Sequence, residues 1–114
     1  MGAQEVLDQA RERASEASER HVKAVAAVSE ARAVLKIASA ALASEPSSAQ
    51  AKKDLATARA SLQDLETYEV GWGLIAGQAR EAVVEAEAAL RASSAEGEAA
   101  QRAADVKEAS ELLK

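Results

Sequence analysis

The chain has 114 residues, no cysteine, one proline and a formal net charge of −5 with both signs interspersed. That length suits a single domain, 1–114, with a modest core. The missing cysteines exclude disulfides, thiolate nucleophiles and the common structural zinc sites, and the acidic, mixed charge excludes the basic patch that a nucleic-acid backbone demands.

About three-fifths of the residues are Ala, Glu, Lys, Leu or Arg, a composition typical of long helices and coiled coils. Phe is absent, Trp and Tyr occur once each, and no segment alternates with the period of two that a strand requires. The expectation is an all-α protein of the helical-bundle or coiled-coil type. No apolar run approaches the roughly 18 residues of a membrane span, and the first residues lack a basic-then-apolar signal pattern. A soluble, cytoplasmic chain with no membrane partner is therefore expected.

The first predicted helix runs over about 3–44. Its heptad holds Leu7, Ala14, His21, Val28, Leu35 and Leu42 at one seam position, and Ala10, Ala17, Ala24, Ala31 and Ala38 at the other. A strict seven-residue period calls for a supercoiled partner along the same length. Ser44-Glu45-Pro46-Ser47-Ser48 reads as a turn, combining a proline with serines able to accept from free amides.

A second helix is predicted over about 47–92, antiparallel to the first. Its seam continues as Leu55, Leu62, Glu69, Ala76, Val83 and Leu90, interleaved with Ala51, Ala58, Leu65, Trp72, Ala79 and Ala86. The phase survives Val70-Gly71-Trp72-Gly73, which favours a continuous helix there, with a break at Gly71 to Gly73 as the alternative. Ser93-Ser94-Ala95-Glu96-Gly97 then reads as a second turn. A shorter third helix over 96–113 is expected to follow, laying Ala99, Ala103, Val106, Ala109, Ser110 and Leu113 against the start of helix 1 and the end of helix 2. Nearer Pro46, Val22, Val25, Val34 and Ile37 lie beyond the seam with nothing to cover them, which points to a homo-oligomer.

One level of the seam departs from the rest. His21 and Glu69 occupy core positions, and if opposite residues sum to about 91 or 92, His21 lies across from Glu69 to Trp72. A His21–Glu69 pair that locks the register is the plain explanation. A functional one adds the surroundings: Tyr68, Trp72, Gly71, Gly73 and Gly77 cluster there, and each interior glycine costs about 1 kcal/mol against Ala. Removing side chains at that cost makes room for a backbone or a ligand. An imidazole in a bundle core beside small residues and aromatics is how an axial ligand to haem or another metalloporphyrin would be presented, with His21 on the metal and Tyr68, Trp72, Gly73 and Gly77 against the ring. Arg13, Arg20, Lys23 and Arg80 could meet acidic substituents of such a cofactor. A further option is general-base catalysis by Glu69, desolvated beside Trp72 and partnered by His21. The alternative is a ligand-free scaffold that assembles through its helical hairpin.

Unbroken heptads, a compact turn, the lack of Cys and Phe, a single Met and the opening Met1-Gly2 together resemble a de novo designed helical bundle. The resemblance spans the whole length and rests on style rather than on a motif. It implies that the His21 level is intentional, since idealised design excludes buried polar groups that serve no site or specificity. The many interior Ser and Gly residues depart from it.

Overall fold

The computed structural model describes residues 2–112 and contains two helices, α1 (Ala3–Ser44) and α2 (Ala49–Leu112). They form an antiparallel hairpin 102 Å long and 19 by 13 Å across. Among the described residues there is no strand, as the absence of any period-two pattern leads one to expect.

The reversal between the helices is a single β-turn. The Ser48 amide donates to the Glu45 carbonyl at 3.0 Å, which puts Pro46 at the second turn position, where its fixed φ is already correct. Among the described residues no non-glycine has a positive φ, so Ser47 keeps the geometry of a type I turn rather than type II. Ser48 then caps α2, its Oγ accepting from the Ala51 amide at 3.1 Å. The cap satisfies one of the amides that a helix start leaves without an intrahelical acceptor.

The expected seam is the observed one. Ala10, Ala17, Ala24, Ala31 and Ala38 of α1 are all buried, as are Ala51, Leu55, Ala58, Ala76 and Ala86 of α2. Alanines at one of every two seam positions let the backbones approach closely, so burial is achieved with little side-chain volume. Larger residues cluster at each end, with Val28 buried between the two clusters. Leu7, Ala10 and Ala86 pack with Val83 and Leu90 at the open end, while Ala38, Leu55 and Ala58 pack with Leu35 and Leu42 near the turn. The level of His21 and Trp72 lies between these two clusters.

The third helix is a correction. No turn forms at Ser93 to Gly97; α2 continues unbroken through it to Leu112, and it is equally continuous through Gly71 to Gly73, with no glycine at positive φ. Since α2 has 64 residues against 42 in α1, its last 22 have no partner helix, and every residue from 91 to 112 is exposed. Ala99, Ala103, Val106, Ala109 and Ser110 therefore do not pack on the hairpin, and Leu113 lies outside the described residues. The physical reason is in the side chains. Within the described residues the expected packing face is Ala and Ser apart from Val106, so folding them back would bury little apolar area, whereas Ala is the strongest helix former and Ser and Gly cost only about 0.5–1 kcal/mol each in a helix. Nothing at 93–97 removes an amide as a proline would. Among the described residues no helix is long and apolar enough to cross a membrane.

Candidate functional site

The two flanks of the seam differ in chemistry. On one flank lie the residues that follow the alanine seam positions, and there the helices are tied by ion pairs: Arg11 with Glu87 and Arg32 with Glu66, each at 3.8 Å. On the other flank lie the residues that precede the Leu7 and Leu55 series. Here Val6, Arg13 and Arg20 of α1 face Ile75, Ala82 and Ala89 of α2 across an open groove of about 740 Å³. The groove floor is the alanine seam itself, including Ala10, Ala17, Ala79 and Ala86. Val6 and Ile75 are 44% and 45% exposed, so this side of the hairpin is an apolar channel left uncovered.

Trp72 closes the groove at its inner end. The Arg20 guanidinium lies 4.9 Å from the centroid of its ring, a cation–π contact that holds the indole in place and is worth about 0.5–1 kcal/mol at an exposed site. Tyr68, one turn earlier, meets Trp72 edge to face at 6.2 Å between centroids. Both aromatics are thus on α2, stacked along one face as a four-residue spacing dictates.

His21 is elsewhere. Its ring points across the ion-paired flank at Gly73: a Cβ placed on Gly73 would come within 3.3 Å of His21 Nε2 and 3.7 Å of Cδ2. The imidazole fills the space that the glycine leaves, so this glycine is accounted for by close packing between helices. The register is one residue beyond the expected range, with Gly73 rather than Glu69 to Trp72 opposite His21. His21 and Trp72 occupy the same level but face opposite flanks, and His21 does not line the groove.

Glu69 and His21 are both half-buried, and no polar or charged residue among those described is fully buried. The expected buried pair is therefore corrected: the two do not form an ion pair or hydrogen bond among the described residues, whose interhelical ion pairs are those of Arg11 and Arg32. Two seam positions with only two helices around them leave long side chains a route to solvent. Gly77 lies on the outer side of α2, where an added Cβ would meet only the Arg80 guanidinium at 3.9 Å, and a Cβ added at Gly71 would meet nothing within 4 Å. Among the described residues no three His, Cys, Asp or Glu side chains converge as a metal site would require.

Of the expected site residues, the structure brings together Tyr68 and Trp72 on one side, and His21 and Gly73 on the other. The groove went unread because its lining is mostly Ala and Arg at flanking positions; the signal was that Val6, Ile75, Ala82 and Ala89 stand where a two-stranded coiled coil places charges. Val22, Val25, Val34 and Ile37 are exposed as expected, at 43–71%.

No protein-family model matches the chain. No curated protein and no solved structure is significantly similar to it.

Proposed function

We propose that the chain is a self-assembling helical scaffold whose binding surface is the apolar groove between the first half of α1 and residues 72–89 of α2. The observation that carries this reading is the asymmetry of the two flanks: one carries the exposed cross-helix ion pairs Arg11–Glu87 and Arg32–Glu66, and the other offers Val6, Ile75 and the alanine floor to solvent. The surface area supports it. A compact folded chain of this mass exposes about 5,900 Å², whereas this one exposes 8428 Å². The excess is what a 102 Å rod with an unpaired 22-residue helical end exposes, surface that a second chain could cover. Helices that lack a second apolar neighbour most commonly find it in a symmetric copy.

Sedimentation equilibrium of the full chain tests the proposal. A dimer or higher species at micromolar concentration is expected, shifted toward monomer by Ile75→Asp with no loss of helicity by circular dichroism. A monomer at 100 µM, roughly the weakest affinity expected of a working interface, would end it.

A second reading rests on Trp72. A groove of this volume falls in the range of small-molecule sites, and a flat apolar acid could lie along Ala79 and Ala82 with its carboxylate toward Arg13 or Arg20. Haem ligation by His21 draws no support from the groove, because the imidazole is turned toward Gly73. Trp72 is the single tryptophan, so its fluorescence reports directly: quenching by a porphyrin that persists in His21→Ala places the ring in the groove, and a Soret shift lost in that variant restores axial ligation.

A further inference from the structure

Resting on the self-assembly reading, we infer that the groove of each hairpin receives the projecting end of α2, residues 91–112, from a second copy, so that two chains exchange tails about a two-fold axis. The continuous helix through Ser93 to Gly97 carries the tail away from its own groove. The groove it can reach is another molecule's.

Length fits first. The tail spans about 33 Å and the groove from Trp72 to Ala89 about 26 Å at 1.5 Å per residue, so one tail covers the groove with a turn or so to spare. Phase fits second. The hairpin seam ends at Leu90, and its positions continue into the tail as Gly97, Ala104 and Glu111. The tail's apolar stripe, Ala95, Ala99, Ala103 and Val106, lies on a different side of the helix, more than a quarter-turn round from the seam. It is placed for a new neighbour rather than for α1. Its small side chains suit a groove floored and walled by alanine.

Charge fits third. A two-fold axis sets the tail antiparallel to the partner's α2 and therefore parallel to the partner's α1. Along that wall run Arg13, Glu16 and Arg20, all lining the groove. Along the tail, beside the apolar stripe, run Glu98, Arg102 and Asp105, opposite in sign at every step and at nearly the same spacing. Within one chain Glu98 and Arg102 pair only with each other, at 3.8 Å and well exposed, and so are free to exchange partners. Aligning the two triplets places Ala103 beside Ile75 of the other chain and Val106 beside its Trp72, with the axis near residue 89. Both tails dock at once and the interface closes on itself.

The absence of cysteine makes the register directly testable. Full-length Ile75→Cys and Ala103→Cys chains are mixed and oxidised. The mixed disulfide is expected to dominate, because like positions lie about 40 Å apart across the axis. As a second measurement, Arg13→Glu with Arg20→Glu should weaken association about tenfold by placing like charges together, and adding Glu98→Arg with Asp105→Arg to the same chain should restore it. Association that persists without a mixed disulfide overturns tail exchange while leaving self-assembly standing. A monomeric parent chain overturns both. Charge reversal without effect, or without rescue, counts against the stated register and with it the proposal.

Discussion

The contact between His21 and Gly73 gives the sharpest quantitative test of the hairpin. Gly71 and Gly73 sit two residues apart in the same continuous helix, so Ala at either should gain the same propensity, about 1 kcal/mol. Their surroundings differ. A Cβ at Gly71 meets nothing within 4 Å, while one at Gly73 meets the imidazole at 3.3 Å, a few tenths of an ångström inside comfortable contact. Gly71→Ala should therefore stabilise by about 1 kcal/mol, or about 4 °C in Tm for a domain of this size. Gly73→Ala should gain less by at least about 0.5 kcal/mol, the usual coupling between touching residues, because the ring must be pushed toward solvent. In a His21→Ala background the obstruction is gone, and Gly73→Ala should recover the full increment. The assay is urea unfolding followed by circular dichroism on the four chains of the cycle, at one protein concentration because association also adds stability. Equal gains at Gly73 with and without His21 would refute the packing account and reopen that space as a ligand's.

Two further substitutions probe the frame around it. Ser48→Ala removes the side-chain acceptor for the Ala51 amide and should lower stability by about 1 kcal/mol, measured by the same unfolding curve. Ala76→Leu places a branched side chain where the native methyl is completely buried; overpacking should cost about 1–3 kcal/mol, and a cost near zero would mean that the helices stand further apart at that level than the alanine seam implies.

Most of the hairpin was legible because its determinants are local and repetitive. Pro46 with the flanking serines marks the reversal to within two residues, and among the described residues the heptad places all twelve buried ones at the seam without reference to anything distant. The unbroken heptad phase also favours a continuous helix over a break at Gly71 to Gly73, and α2 is continuous there, since a loop would have reset the register. The His21 level was harder. Seam position predicts burial only when both flanks are closed, and here one flank is an open groove and the other is spanned by an imidazole resting on a glycine. Which way the ring turns depends on an offset of one residue between helices, and that offset is set by the turn geometry and the sum of alanine contacts along the whole seam.

The error at Ser93 to Gly97 is informative about what a turn requires. Serine, glycine and an acidic residue at helix-start spacing are permissive of a reversal, but a reversal forms only when the segment beyond it gains more by packing than it loses by leaving the helix. Beyond Gly97 the potential packing face carries, within the described residues, one valine among alanines and a serine, so the gain from packing them within one chain is small and the helix continues. That same weakness explains why a tail of alanines need not be idle. Between chains, tail exchange would offer it a groove of matching length and a charge triplet of opposite order, entered without breaking α2, so docking would carry none of the cost that folding back would impose. A sequence can thus encode a three-helix packing whose third member is supplied in trans, and the mixed-disulfide experiment separates that arrangement from a hairpin that pairs only through its own length.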